Sequence, residues 1–124
     1  MTTPDPTIQE ALRAFGKGHP NIAVIYLFGS VAEGQAGPLS DLDVGVLLTG
    51  SAMRSFPLDR RLTLIADIGH ACRRTDVDVV ILNDAPPLLA HQVLSQGVLL
   101  FERNRDERVA FEARAAGRGL DFQA

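Results

Sequence analysis

Apolar positions recur along the chain with two different periods, and the switches between them mark out the elements. Ile8, Ala11, Leu12 and Phe15 fall at i, i+3, i+4 and i+7, the spacing that lays one stripe along an α-helix. Thr7 with Glu10 offers a capping box at its start, and Gly16 and Gly18 are expected to end it. After a turn at Pro20 and Asn21, the run from Ile22 to Phe28 is apolar throughout, β-branched and aromatic. That pattern predicts a strand buried on both faces. A short helix is expected over residues 31–33, in a connection that carries Gly34, Gly37 and Pro38. A second strand runs from about Asp43 to Leu48. Leu58, Leu62, Ile65, Ile68 and Cys72 then mark a long amphipathic helix, with Arg60, Arg61, Asp67 and Arg74 mostly outside. Val77 to Leu82 reads as a third strand, entered through Asp76 and Asp78. Pro86 and Pro87 open a helix that Gly97 closes, Val98 to Phe101 is a short last strand, and Asn104 with Glu107 opens a final helix ending near Gly117 or Gly119.

Helices therefore alternate with strands, except that the connection between the first two strands is short. The expected architecture is α+β: a mixed sheet of about four strands with helices packed on it, in a single domain spanning residues 1–124. Composition narrows the partners. A formal net charge of −3 leaves no excess of Lys and Arg for coating nucleic acid, so no direct nucleic-acid binding is expected. The pairs Arg60-Arg61 and Arg73-Arg74 lie beside acidic residues and read as solvated helix faces. A lone cysteine, Cys72, excludes an internal disulfide, and beside Ile68 and Ala71 it reads as a small buried hydrophobe. No apolar run approaches the ~20 residues of a membrane span. The first residues lack the basic and apolar regions of a signal peptide, so a cytoplasmic location is expected.

The chemistry concentrates in three places. Gly29 and Ser30 follow a buried strand directly. A strand that stops at glycine lets a ligand approach the backbone, and a short helix starting there offers free N–H groups to phosphate oxygens, with the Ser30 hydroxyl adding one more. Asp41 and Asp43, at i and i+2, project from one face of an extended chain, and two carboxylates so close call for a cation between them. Magnesium, a hard ion held by one or two carboxylates and substrate phosphates, suits that pair. Asp78 opens the third strand. If that strand neighbours the second, Asp78 completes a three-carboxylate cluster able to hold two metal ions for an in-line displacement at phosphorus. Asp76 faces the same way, so geometry alone does not separate it from Asp78. His19, His70 and His91 lack metal-ligand spacing, and Ser30 lacks the surroundings of a hydrolase nucleophile.

Leu27-Phe28-Gly29-Ser30-Val31-Ala32-Glu33-Gly34, followed by Ser40-Asp41-Leu42-Asp43-Val44, resembles the G-S-x-A-x-G … S-D-x-D signature of the polymerase-β-like nucleotidyltransferases. It is similar in particular to the minimal nucleotidyltransferases of bacteria and archaea. The similarity continues through Val77-Asp78-Val79-Val80, Leu82-Asn83, Ala85-Pro86-Pro87 and Gly97-Val98-Leu99-Leu100-Phe101-Glu102, and so covers most of the chain. The resemblance implies a nucleotidyltransferase fold in which Gly29 and Ser30, with Ser40, bind the nucleotide triphosphate. Asp41 and Asp43 would ligate two Mg2+ ions, and Asp78 would complete one metal site and help deprotonate the acceptor hydroxyl. The sequence departs from the family at Val31, where Arg is frequent, and at Glu33, where a basic residue is common.

The family also implies where the acceptor comes from. Larger relatives bring it in with a second domain, which this chain has no residues to build. Minimal nucleotidyltransferases are typically encoded beside small helical HEPN ribonuclease toxins, and some neutralise them by transferring AMP from ATP to a tyrosine. The expected function is therefore a Mg-dependent adenylyltransferase antitoxin with a HEPN-domain partner. The alternative is a catalytically weak or inactive antitoxin that acts by complex formation, and the Val31 and Glu33 departures point that way. A D-x-D glycosyltransferase would leave Gly29-Ser30 unexplained in a chain too short for such an enzyme.

Overall fold

A computed structural model describes residues 6–29, 41–49 and 57–123. Their order is α1 (Pro6–Gly18), β1 (Ile22–Phe28), β2 (Leu42–Leu48), α2 (Pro57–Cys72), β3 (Val77–Ile81), α3 (Pro87–Gln96), β4 (Val98–Glu102) and α4 (Arg105–Gln123). The strands form one sheet in the order β3-β2-β1-β4. β1 runs antiparallel to both of its neighbours, whereas β2 and β3 are parallel and joined by α2, the crossover that parallel neighbours require. This is the mixed α+β sheet that the alternation predicts. The short helix expected over 31–33 lies outside the described residues.

Helices cover both faces of the sheet. Leu42, Val44, Val46 and Leu48 of β2, with Val77, Val79 and Ile81 of β3, point to one side and pack with Leu12 and Phe15 of α1 and Leu64 and Ile68 of α2. Tyr26, Phe28 and Leu47 point to the other and pack with Ala90 and Val93 of α3 and Phe111 and Ala115 of α4. Every residue of β1 is buried, as expected of a central strand with both faces covered. An extra residue in β1 between Ile22 and Val24 shifts its register against β2, so Ala23 and Val24 both fall on the α3/α4 side.

Two expectations from the pattern need correction. Gly16 does not end α1 but lies inside it. Its bare Cα lets the Phe101 ring pack so closely that a Cβ would stand 2.5 Å from Cδ2. The guanidinium of Arg103 sits over the same ring, 5.3 Å from its centroid, and donates to the Gly16 and Ile22 carbonyls. In α2, Leu62 is 55% exposed and the buried stripe runs instead through Leu64, Ile68 and Gly69, with Ile65 and Cys72 packed at its margin. None of the helices among the described residues is long and apolar enough to cross a membrane.

Candidate active site

Strand directions decide what meets at the end of the sheet. Because β1 is antiparallel to β2 and β2 is parallel to β3, the last residues of β1 lie beside the first residues of β2 and β3. Phe28 pairs with Asp43, and Asp43 pairs with Asp78 across the parallel ladder. Gly29, Asp43 and Asp78 therefore occupy three adjacent strand ends, with Asp41 two residues before Asp43. The alternation that sends Leu42 and Val44 into the α1/α2 core sends Asp43 to the opposite face, and Asp78 leaves β3 on that same face.

Electrostatics records the convergence. Burial raises the Asp43 carboxyl above its ordinary range, and the charges of Asp78 and Asp41 raise it further. Asp43 is half-buried and Asp41 is exposed. Gly29 closes the pocket around it: its φ is +77°, a conformation that L side chains rarely adopt, and a Cβ there would lie 2.2 Å from Asp43 Oδ2. The glycine is thus required twice, by its backbone angle and by the carboxylate pressed against it.

A raised carboxyl pKa has a measurable consequence. The folded protein holds the Asp43 proton to higher pH than the unfolded chain does. Stability therefore falls as pH rises from the unfolded value, 3.8, through the raised folded value. Above that window the metal-free protein carries the repulsion in full. Asp43→Asn, which removes the charge, is expected to raise the metal-free melting temperature at pH 7 and to have little effect below pH 4. Thermal melts at the two pH values check this.

Asp76 and Asp78 differ in their partners. Arg74 Nε donates to Asp76 Oδ1 at 2.7 Å and its Nη2 to Oδ2, which holds the Asp76 carboxyl below its ordinary range. Asp78 is the residue in register with Asp43, and it is Asp78, with Asp41, whose charge acts on Asp43. Its own Oδ1 accepts from Arg61 Nη2 at 2.7 Å and from the Val79 N–H at 3.0 Å. Arg61 is in turn fixed by its Nε, which donates to the Val79 carbonyl at 2.8 Å. Arg61 is exposed, as expected of a solvated face, and is at the same time a partner of Asp78. The sequence carried a signal for it: Arg61, Leu64, Ile65, Ile68 and Cys72 stand on one helical stripe.

Ser30 and Ser40, expected to bind nucleotide, lie outside the described residues, as do Val31 and Glu33. Among the described residues no three acidic, histidine or cysteine side chains already gather as a metal cluster. The donor set nevertheless suits a hard divalent ion: carboxylate oxygens at adjacent strand ends, and mutual repulsion felt at Asp43 that a cation would relieve. Burial raises the Cys72 thiol despite the nearby Arg74 charge, in keeping with a packing role. Tyr26, the single tyrosine of the chain, is only 3% exposed and donates to Glu112 at 2.6 Å. Arg108 bridges Glu112 to Glu102, so this phenol belongs to a structural network between β1, β4 and α4.

A family model described as polymerase beta, nucleotidyltransferase matches residues 10–106, a span that takes in Gly29, Asp41, Asp43 and Asp78. The chain belongs to that nucleotidyltransferase family. It is 32% identical over 92 residues to the protein adenylyltransferase MntA of Shewanella oneidensis, an alignment covering 73% of this chain and 61% of MntA. The chain thus spans about three fifths of that relative's length. Among solved structures it is similar to the crystal structure of a toxin–antitoxin with AMP-PNP, at 28% identity and a TM-score of 0.73 over 94% of this chain and 87% of the other. It is also similar to a chain in the structure of tri-AMPylated Shewanella oneidensis HEPN toxin in complex with MNT antitoxin. There the TM-score is 0.67 at 24% identity, over 94% and 87% of the two chains, a likeness of fold.

Proposed function

We propose that this nucleotidyltransferase is a Mg-dependent protein adenylyltransferase that acts as an antitoxin, transferring AMP from ATP to a tyrosine of a HEPN-domain toxin. The observation that carries the reading is the register that sets Gly29, Asp43 and Asp78 on adjacent strand ends, with Asp41 beside them. Identity to MntA and likeness to a toxin–antitoxin chain with AMP-PNP support the choice of nucleotide and partner. The buried Tyr26 supports an acceptor on another molecule, because the chain's own phenol is out of reach.

In this reading Gly29 lets the triphosphate approach the backbone, aided by Ser30 and Ser40. Asp41, Asp43 and Asp78 are the residues that would hold Mg2+, two ions in all. A divalent ion held there supplies positive charge to the phosphates and lowers the cost of ionising the acceptor. The acceptor oxygen attacks the α-phosphorus of ATP, a P–O bond forms to that oxygen, and the bond to the β-phosphate oxygen breaks. Pyrophosphate leaves, and the phenolic proton passes to Asp78. Its Oδ1 is held by Arg61 and the Val79 N–H, which leaves Oδ2 as the oxygen with lone pairs for both the ion and the acceptor proton.

Label transfer tests the reading. ATP labelled at the α-phosphate should label the HEPN partner, while ATP labelled at the γ-phosphate should not. Label from the γ-position alone would make the chain a kinase and overturn the assignment. The second reading, neutralisation by complex formation alone, is favoured by the Val31 and Glu33 departures. It requires toxin inhibition without ATP that survives loss of Asp41 and Asp43.

A further inference from the structure

The open groove along the outer edge of β3 shares Asp78 with the carboxylate group. It has a volume of about 350 Å³ and is walled by Val80, Pro86 and Leu89, with Asp78, Asp84 and Arg61 as its charged lining. We propose that this groove is the acceptor subsite: a phenol-bearing side chain of the partner enters it and presents its hydroxyl to Asp78, while a neighbouring cationic residue of the partner is answered by Asp84. The proposal rests on the adenylyltransferase reading above.

Backbone bonding first restricts how anything can bind here. The Asp76 carbonyl and the Leu82 N–H both bond to β2, so the ladder uses the backbone of the even-numbered residues of β3 and leaves the backbone N–H and C=O groups of Val77, Val79 and Ile81 facing the edge, their side chains staying in the core. An exposed strand edge ordinarily invites a partner strand. This one is largely closed from within. The Val79 carbonyl accepts from Arg61, the Val79 N–H donates to Asp78, and the Ile81 carbonyl accepts from the Asp84 N–H at 3.2 Å. Recognition therefore falls to side chains inserted beside the edge rather than to strand addition.

The lining then selects the side chain. Apolar walls with a few polar groups suit an aromatic ring carrying one hydroxyl, and the volume lies at the small end of ligand sites, roughly 300–1,000 Å³. Arg61 is already paired with Asp78, whereas Asp84 makes no ion pair among the described residues, so the groove carries a net negative charge. A cation beside the acceptor is the complementary partner.

The test uses this chain, a HEPN-domain protein with which it forms a complex, ATP and Mg2+. Leu89→Arg and Asp84→Lys should each raise the KM for the HEPN partner about tenfold or more. Thermal protection of both variants by AMP-PNP with Mg2+ should stay at the wild-type value, which also shows that they fold. A photoreactive phenylalanine analogue in place of Leu89 should crosslink to the partner segment that contains the modified tyrosine. Unchanged KM in both variants, or a crosslink that maps elsewhere on the partner, overturns the subsite. Wild-type protein that transfers no AMP yet crosslinks through this position to a tyrosine-bearing segment would instead overturn the adenylyltransferase reading and leave the docking surface standing.

Discussion

Asp41→Ala combined with Asp43→Ala is expected to lower the rate of AMP transfer by roughly a thousandfold or more. Several kcal/mol of transition-state charge stabilisation would go with the lost carboxylates, and each 1.36 kcal/mol is a factor of ten. The same variant should fold at least as well as the wild type when no metal is present. Burial, and then the charges of Asp78 and Asp41, raise the Asp43 carboxyl, and removing two of the three charges relieves both the buried charge and the repulsion. Loss of activity with equal or higher thermal stability is a signature that a merely structural pair would not give. Steady-state transfer assays and metal-free melts on the same preparation measure both arms. A variant that is inactive because it is unfolded would count against a catalytic role for the pair.

Gly29→Ala carries the second large effect. The substitution places a Cβ 2.2 Å from Asp43 Oδ2 and forces an L-residue to φ +77°. The backbone penalty alone is about 1–2 kcal/mol, and relieving the contact displaces the carboxylate that the site needs. Transfer should therefore fall by at least about a hundredfold, the scale expected when a reacting group is misplaced by roughly 1 Å. Stability to urea should fall by about 1–3 kcal/mol. The two causes separate in a double-mutant cycle. With Asp43 already alanine, Gly29→Ala should lose only the backbone part, so the two substitutions couple. Strict additivity would mean that the glycine and the carboxylate are not in contact.

Much of the fold is legible in the chain because its strands are extreme cases. β1 is buried on both faces, so it appears as an unbroken apolar run. Alternation in β3 already divides Val77, Val79 and Ile81 from Asp76 and Asp78. The helical stripes are harder to read. Leu62 and Leu64 are both apolar and about 200° apart on a helix, so the sequence admits two stripes through α2, and only packing against the sheet selects Leu64. Gly16 looks like a terminator because the pattern cannot show that Phe101, far along the chain, rests on it.

The candidate site follows the same division. Asp41 and Asp43 announce themselves by spacing, and Gly29 by following a buried strand. Separating Asp78 from Asp76 needs the β2–β3 register and the Arg74 ion pair, both of them long-range or conformational facts. The pairing of Arg61 with Asp78 joins residues on different elements and is not legible in either one's local pattern. Arg61 is exposed, as a solvated face requires, and at the end of its helical stripe it also reaches the edge of β3 and binds a carboxylate there.

We propose that Asp41, Asp43 and Asp78 form the transfer centre of an enzyme whose acceptor is another protein. The intact mass of the HEPN partner, incubated with this chain, ATP and Mg2+, tests it most directly. The account predicts a mass increase of one or more AMP units on the partner and none on this chain, abolished by Asp41→Ala plus Asp43→Ala. A partner that keeps its mass while its toxicity is neutralised, or one that gains AMP with the doubly substituted chain, would contradict it.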